Sequence, residues 1–404
     1  MKDIVVVGIG YVGLPLAIML AEKKYRVVGV DKDKSKVNKL NSGILDINED
    51  DLLEIFQKDI VKKNLVASLE PTEGDIFVVA VPTPYDEENN TADLSYLKDS
   101  LYSIIPKLKP NNLIIIESTI PPQTCDNFIT PIIEKNSDYK VGKDILLAHC
   151  PERILPGNIV NELINNDRII GGVNLESSHM AFALYSSFVK ADLHITDTVT
   201  AELCKLTENS VRDVNIALAN ELSLICDKIN VDTGQLVNLV NHHPRVTLPN
   251  PGIGVGGHCI PIDPWFITQI DKENTTLIQN ARKVNDGMPL VIAEKLKNIF
   301  KDYCAEPELI VLGLTYKPDS DDLRESPAIK VIKYLKEFGY KVKSYDPLIK
   351  GKKYNNILDI TKGKDFLIVL VEHQIIKEDI ENNYKQIIDN LGCKMILRYP
   401  FNPK

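Results

Sequence analysis

Short β-branched runs alternate along most of this chain with stretches whose apolar residues recur every three or four positions. Ile4 to Val7 has the profile of a buried parallel strand. A helical pattern follows through Leu14, Leu16, Ala17 and Leu20, then a second strand from Arg26 to Val30. Further strands are predicted over Asp75–Val81, Leu113–Glu117 and Ile145–His149, with a helix over Leu94–Ile105. Near Asp197 the pattern changes. Thr198 to Asp227 contains neither proline nor glycine and predicts one helix of about 30 residues, long enough to link two domains or two subunits. Shorter helices are predicted over Asp232–Asn241 and Asn274–Phe300. From Glu308 the strand–helix alternation resumes. Strands are predicted over Glu308–Leu314, Lys341–Tyr345, Asp365–Val371 and Lys394–Arg398, with a helix over Pro327–Phe338.

The segment after the first strand gives this pattern its chemistry. Gly8-Ile9-Gly10-Tyr11-Val12-Gly13 lies between strand and helix, and Asp31 ends the second strand 18 residues past Gly13. Gly8 suits the tight turn, Gly10 a close approach of backbone to a pyrophosphate, and Gly13 the packing of helix on strand. Asp31 suits a ribose hydroxyl and favours NAD over NADP, although Lys32 and Lys36 blur that preference. The alternation then predicts an α/β protein: two Rossmann-like domains with parallel sheets joined by a long central helix. The expected boundaries are 1–196, 197–300 and 301–404. Polar residues recur just past strand ends, where open parallel sheets bind ligands. Thr83, Ser118, Thr119 and Glu152 are therefore site candidates, though for each alone a helix cap or turn role stands equally open.

Composition narrows the class. The 404 residues carry a net charge of −9, which gives no reason to expect a nucleic-acid or anionic-membrane partner. No apolar run approaches the ~20 residues of a membrane span. The seven cysteines include no Cys-x-x-Cys pair, and a reducing cytoplasm is the expected location. His242, His243 and His258 lack metal-ligand spacing, so no metal is expected. Lys205, Asn209 and Arg212, with Glu202, share one face of the long helix, either a solvated stripe or one side of a ligand site. Pro251 to Asp263 holds four glycines, two prolines and one cysteine, which excludes regular helix or strand and predicts a tight loop presenting Cys259.

Five blocks in order carry a family resemblance: the N-terminal fingerprint; Cys150-Pro151-Glu152-Arg153-Ile154-Leu155-Pro156-Gly157; Ala201-Glu202 with Lys205 and Asn209; Gly256-Gly257-His258-Cys259 with Asp263; and Tyr316-Lys317 to Arg324-Glu325-Ser326. Together they resemble the nucleotide-sugar 6-dehydrogenases, which act on UDP-glucose, GDP-mannose or UDP-N-acetylhexosamines. His243 to Val246, His258 to Phe266, and Ala281-Arg282 with Val284-Asn285-Asp286 look most like the N-acetylhexosamine branch. Arg153 stands where UDP-glucose enzymes tend to carry Phe or Tyr, and Ile262 where they carry Lys, which puts glucose in doubt as the sugar.

The resemblance implies a four-electron oxidation that uses two NAD per turnover. Cys259 is the implied nucleophile, with Lys205 and Asn209 stabilising the oxyanion. Asp263, Glu152 and Thr119 would move protons and assist hydrolysis. It implies NAD contacts from Gly8, Gly10, Tyr11, Val12, Gly13, Asp31, Lys36, Thr83, Ser118, Thr119 and Arg324. The UDP-sugar would be held by Glu152, Arg153, Ile154, Leu155, Lys205, Asn209, Arg212, Gly252, Gly256, Tyr316, Lys317 and Arg398. Arg245, with His243 beside it, would come from a neighbouring subunit, which implies at least a homodimer. The C2 epimer of the sugar and the identity of the general base stay open. Two other classes stand against this reading: a two-electron hydroxyacid dehydrogenase, which would need neither Cys259 nor a second nucleotide-like domain, and a catalytically silent nucleotide-sugar sensor.

Overall fold

A computed structural model describes residues 2–47, 49–86, 88, 91–154, 157–303 and 306–399. The chain divides into two compact units, Met1–Glu208 and Asn209–Lys404, with the boundary inside the helix Thr198–Ile229. The expected middle segment 197–300 is shared between them.

The first unit holds β1 (Asp3–Val7), β2 (Arg26–Val30), β3 (Leu65–Ser68), β4 (Ile76–Val79), a small hairpin of β5 (Tyr85–Asp86) and β6 (Thr91–Ala92), β7 (Leu113–Ile116), β8 (Leu146–His149), β9 (Arg168–Gly172) and β10 (Leu193–Asp197). Eight of them form one sheet in the order β10-β9-β8-β7-β4-β1-β2-β3. Its central strands are buried on both faces, which is why they read as continuous β-branched runs. The helix Gly13–Glu22 buries nine consecutive residues, Gly13 to Ala21. The strand order reverses between β1 and β4, the kind of switch point beyond whose strand ends open α/β sheets bind ligands.

The sheet departs from the all-parallel expectation at one pairing. β8 and β9 run antiparallel, with Ala148 opposite Gly172 and His149 opposite Gly171. The chain therefore leaves β8 and re-enters at β9 from the same end. Residues 150–154 and 157–167 stay at the carboxyl end of the sheet, and Arg168 starts its strand beside the stretch that holds Glu152.

The second unit holds β11 (Glu308–Leu312), β12 (Lys341–Tyr345), β13 (Lys364–Val369) and β14 (Leu391–Arg398), in the order β12-β11-β13-β14 and all parallel. Helices Thr276–Lys301 and Pro327–Glu337 share one apolar core with one face of this sheet, where Phe300 packs its ring 4.8 Å from Phe366 and 5.2 Å from Tyr340. Ile376, Ile380 and Ile387 of the helix Gln374–Asn390 belong to the core on the other face.

Candidate active site

In the first unit the three fingerprint glycines have distinct surroundings. Gly8 has φ +94°, and a Cβ there would meet the Ala80 carbonyl oxygen at 2.5 Å. A Cβ on Gly13 would fall 2.0 Å from the Gly8 carbonyl oxygen, so strand, turn and helix can close only without one. Around Gly10 nothing lies within 4 Å of that position, which leaves its backbone open to a ligand. Tyr11 is exposed and Val12 sits at the N-cap of the helix. The Asp31 carboxylate accepts the Asp33 N–H at 2.9 Å and lies 3.5 Å from Lys36 Nζ. Past β4, the Thr83 hydroxyl oxygen is buried with no protein partner, a group that a bound polar ligand would satisfy. Open backbone at Gly10, a carboxylate at Asp31 and an orphaned hydroxyl at Thr83 together fit a dinucleotide. Ser118 is engaged differently: its hydroxyl donates to the Val81 carbonyl at 2.7 Å and ties two strand ends together. Thr119 follows it, half-buried.

A buried ionic cluster lies past β7 and β8. Arg168 sets one guanidinium nitrogen 3.2 Å from Glu117 and pairs another with Glu152. Tyr185 donates its hydroxyl to Glu117 at 2.6 Å, and the Arg168 guanidinium stacks 4.6 Å from the Tyr185 ring centroid. One cation thus serves two carboxylates in a dry site. Burial, aided by the Glu152 charge, pushes Glu117 up to about 7 against the opposing pull of Arg168. Burial drives His149 down to about 3, so that ring is neutral, and pushes the Cys150 thiol up. Glu152 also accepts the Arg153 N–H at 2.7 Å. Arg153 gives its own fork to Glu208, at 2.7 and 3.2 Å, and to the Asp167 carbonyl at 2.9 Å. Ile154 is partly buried, and Leu155 lies outside the described residues.

On the long helix, Glu202 is not part of a solvated stripe. It is fully buried, and its carboxylate accepts the N–H groups of Gln123 at 2.6 Å and Cys125 at 2.9 Å. Burial raises it to about 7 although both amides favour its charged form. Lys205, one turn further along, is half-buried.

The second unit contains the cysteine loop. Asp263 gives its N–H to the Cys259 carbonyl at 2.9 Å, and its Oδ2 accepts the Asn209 side-chain N–H at 2.6 Å. The loop is clamped upstream. Gly257 donates its N–H to the Arg324 carbonyl at 3.0 Å, and a Cβ on Gly257, where φ is +88°, would lie 3.0 Å from the Tyr316 ring. A Cβ on Gly256 would meet the Glu325 carbonyl oxygen at 2.6 Å. Gly252 donates its N–H to Asn220 Oδ1 at 2.8 Å, so that amide anchors the loop and is not presented to a ligand. Tyr316 is half-buried, its hydroxyl pushed up by burial and by Asp322, and Lys317 Nζ lies 5.9 Å from its ring centroid. Arg324 folds its fork onto Asp322, at 2.6 and 3.0 Å. Arg212, His243 and Arg245 are exposed, and Arg398 pairs with Glu372 at 3.0 Å. Among the described residues, no group of three or more His, Cys, Asp or Glu side chains is arranged to hold a metal.

One buried pair has no counterpart among the motifs above. His373 lies 2.9 Å from Asp346 Oδ2 through Nε2, and its Nδ1 accepts the Asp319 N–H at 2.8 Å. Asp346 Oδ2 also takes the Leu314 N–H at 2.7 Å, so the pair braces both ends of the turn that carries Tyr316 and Lys317. Both residues follow strand ends, β12 and β13, and that position is the signal by which they could be found.

A Rossmann sheet with an intact dinucleotide turn, followed by a cysteine loop and a second parallel sheet, defines an NAD-dependent dehydrogenase with a nucleotide-binding partner domain. The chain belongs to the UDP-glucose/GDP-mannose dehydrogenase family: residues 2–189 match its NAD binding domain, 199–287 its central domain and 310–394 its UDP binding domain. A UDP-N-acetyl-D-mannosamine dehydrogenase of Methanococcus aeolicus is 44% identical over 98% of this chain and 90% of its own length. A protein of the same name from Campylobacter jejuni is 40% identical over 96% of this chain and 98% of its own. Among solved structures, a UDP-D-ManNAc dehydrogenase of Pyrococcus horikoshii superposes with a TM-score of 0.92 at 36% identity, covering 98% of this chain and 94% of that one. No helix among the described residues is long and apolar enough to cross a membrane.

Proposed function

We propose that this protein oxidises the C6 hydroxyl of UDP-N-acetyl-D-mannosamine to the carboxylate, giving UDP-N-acetyl-D-mannosaminuronate with two NAD and one water per turnover. The names of the relatives support the sugar, as do Arg153 and Ile262 at the positions where UDP-glucose enzymes tend to differ. The observation that carries the mechanism is the bond from Asn209 to Asp263, whose own N–H is tied to the Cys259 carbonyl.

Removing four electrons from a primary alcohol passes through an aldehyde. The Cys259 thiolate attacks that aldehyde to form a thiohemiacetal, and loss of hydride turns it into a thioester. NAD, when bound, accepts the hydride in each oxidation. Lys205 and Asn209 stabilise the oxyanion of each step. Asp263 orients water for hydrolysis, and Glu152 and Thr119 assist proton movement. Gly8 to Gly13, Asp31, Lys36, Thr83, Thr119 and Arg324 hold the cofactor. The stretch from Glu152, Arg212, the loop near Gly256, Tyr316, Lys317 and Arg398 hold the UDP-sugar.

The working form in this reading is a homodimer. Val211, Leu218 and Ile225 leave the long helix exposed at 54%, 49% and 53%, seven residues apart, an apolar seam suited to a second copy. Arg245 and His243 then complete the neighbouring site. A reducing cytoplasm is the location that goes with this reading.

The test is stoichiometry. Two NADH per UDP-N-acetylmannosamine are expected, with the uronic acid as product; one NADH would point to a two-electron enzyme, and none to a different sugar or a silent binder. Cys259→Ser is expected to abolish acid formation, and wild-type turnover in that variant would overturn the covalent route. A panel including UDP-N-acetylglucosamine decides the C2 epimer.

A further inference from the structure

The stretch from Arg282 to Asp286 lies on the helix Thr276–Lys301, and its side chains form an ordered chain with the long helix. Gly252 gives its N–H to Asn220 Oδ1 at 2.8 Å. Asn220 gives its amide to Asn285 Oδ1 at 2.8 Å. Asn285 in turn gives its amide to Asp213, at 2.8 Å to Oδ1 and 3.0 Å to the backbone carbonyl. Arg282 closes the chain by pairing with Asp213 Oδ1 at 2.5 Å and with Asp286. The Gly252, Asn220 and Asn285 donors thus run in one direction, toward Asp213. Asn220 is fully buried, and Asn285, Arg282 and the Asp213 side chain are each 1% exposed or less. Asp213 Oδ2 and Arg282 Nε are buried without a hydrogen-bond partner, so the cluster carries a polar cost that apolar packing of similar volume often avoids.

At the cysteine loop the chain begins with the N–H that Gly252 donates, and the backbone oxygen of Asn285 stands 3.1 Å from where a Gly254 Cβ would lie. The loop is thus fixed at Gly252 by this chain and at Gly257 by the Arg324 carbonyl, with Cys259 two residues beyond. We infer that the chain from Gly252 through Asn220 and Asn285 to Asp213 and Arg282 is a positioning device that sets the register of the nucleophile loop. Its role in turnover rests on the proposed function; its role in ordering the loop does not.

Asn220→Ala is expected to speed hydrogen exchange of the Gly252 amide at least tenfold. The rate of Cys259 alkylation by iodoacetamide is expected to change, and kcat to fall about tenfold or more, with KM for NAD unchanged. Asn220→Ser carries the same measurements should Asn220→Ala fail to fold. Wild-type exchange at Gly252 in the Ala or Ser variant overturns the inference. Failure of wild-type protein to form NADH from any UDP-N-acetylhexosamine would sink the proposed function and leave the exchange measurements to decide the loop.

Discussion

Asn209 donates its side-chain N–H to Asp263 Oδ2 at 2.6 Å, with the two residues only 6% and 4% exposed. Asn209 belongs to the long helix, and Asp263 opens the short helix Asp263–Thr268 one turn past Cys259. A buried carboxylate is thus oriented on the turn that follows the thiol. Asp263→Asn keeps the volume and removes the charge. It is expected to leave the melting temperature within a few degrees and to lower kcat by about 10²-fold or more, the usual scale for losing a group that moves or orients a proton. Steady-state NADH production and acid formation check this. Undiminished turnover in Asp263→Asn would remove Asp263 from the mechanism.

The buried carboxylates give a pH prediction. Glu117 and Glu202 are each raised to about 7 by burial, from an ordinary value of 4.5. A carboxyl whose folded value is raised binds more protons folded than unfolded. Its contribution to stability is fully present below about pH 4.5 and is lost as pH rises through 7. The first unit should therefore melt at lower temperature at pH 8 than at pH 5. For Glu117 the span corresponds to on the order of 3 kcal/mol. Glu117→Gln keeps an oxygen for Arg168 and Tyr185 and abolishes the titration, so its stability should vary less with pH over this interval. Thermal melts of both proteins from pH 5 to pH 8 decide it. A variant whose melting temperature falls as steeply as that of wild type would show that Glu117 does not titrate there.

Local geometry was legible in the sequence, and long-range electrostatics was not. Gly8, Gly13 and Gly257 stand where a side chain cannot, and a run of glycines marks such places in the residue order alone. The strands were legible because burial on both faces leaves an uninterrupted apolar run. Thr198–Ile229 was legible because it lacks breakers. Arg168–Gly172 and Leu193–Asp197 were missed: the first ends in two glycines, and the second is a partly exposed edge strand with mixed polarity. Without them the antiparallel step at β8, and so the meeting of Arg168 with Glu117 and Glu152, could not be foreseen. Glu202 read as one of a polar stripe because helical periodicity says which residues share a face. It says nothing of the Gln123 and Cys125 amides, which are distant in sequence.

The fingerprint glycines should separate folding from cofactor binding. At Gly13 an added methyl would lie 2.0 Å from the Gly8 carbonyl oxygen, whereas at Gly10 it would meet nothing within 4 Å. Gly13→Ala is expected to destabilise the first unit or prevent its folding. Gly10→Ala is expected to fold with an unchanged melting temperature and to bind NAD at least tenfold more weakly, about 1.4 kcal/mol, because the methyl occupies the space a pyrophosphate needs. Calorimetric titration with NAD and thermal melts test both. Unchanged NAD affinity in Gly10→Ala would show that the open face of this turn is not where the phosphates lie.

The shared-site reading makes the sharpest demand on assembly. Val211, Leu218 and Ile225 expose an apolar seam, and Arg245 and His243 are solvent-exposed and 14 or more residues from Cys259 in sequence. If Arg245 serves the neighbouring subunit, Arg245→Ala and Cys259→Ser homodimers are each inactive for different reasons. Subunit exchange between them would place an intact Arg245 opposite an intact Cys259 in one of the two sites of each mixed dimer. With random mixing half of the dimers are mixed, so activity near one quarter of wild type is expected from two inactive preparations. Leu218→Glu should break the seam, giving a monomer by light scattering with little remaining activity. No recovery on mixing, with exchange of subunits shown by mass, would mean that each chain builds its site alone.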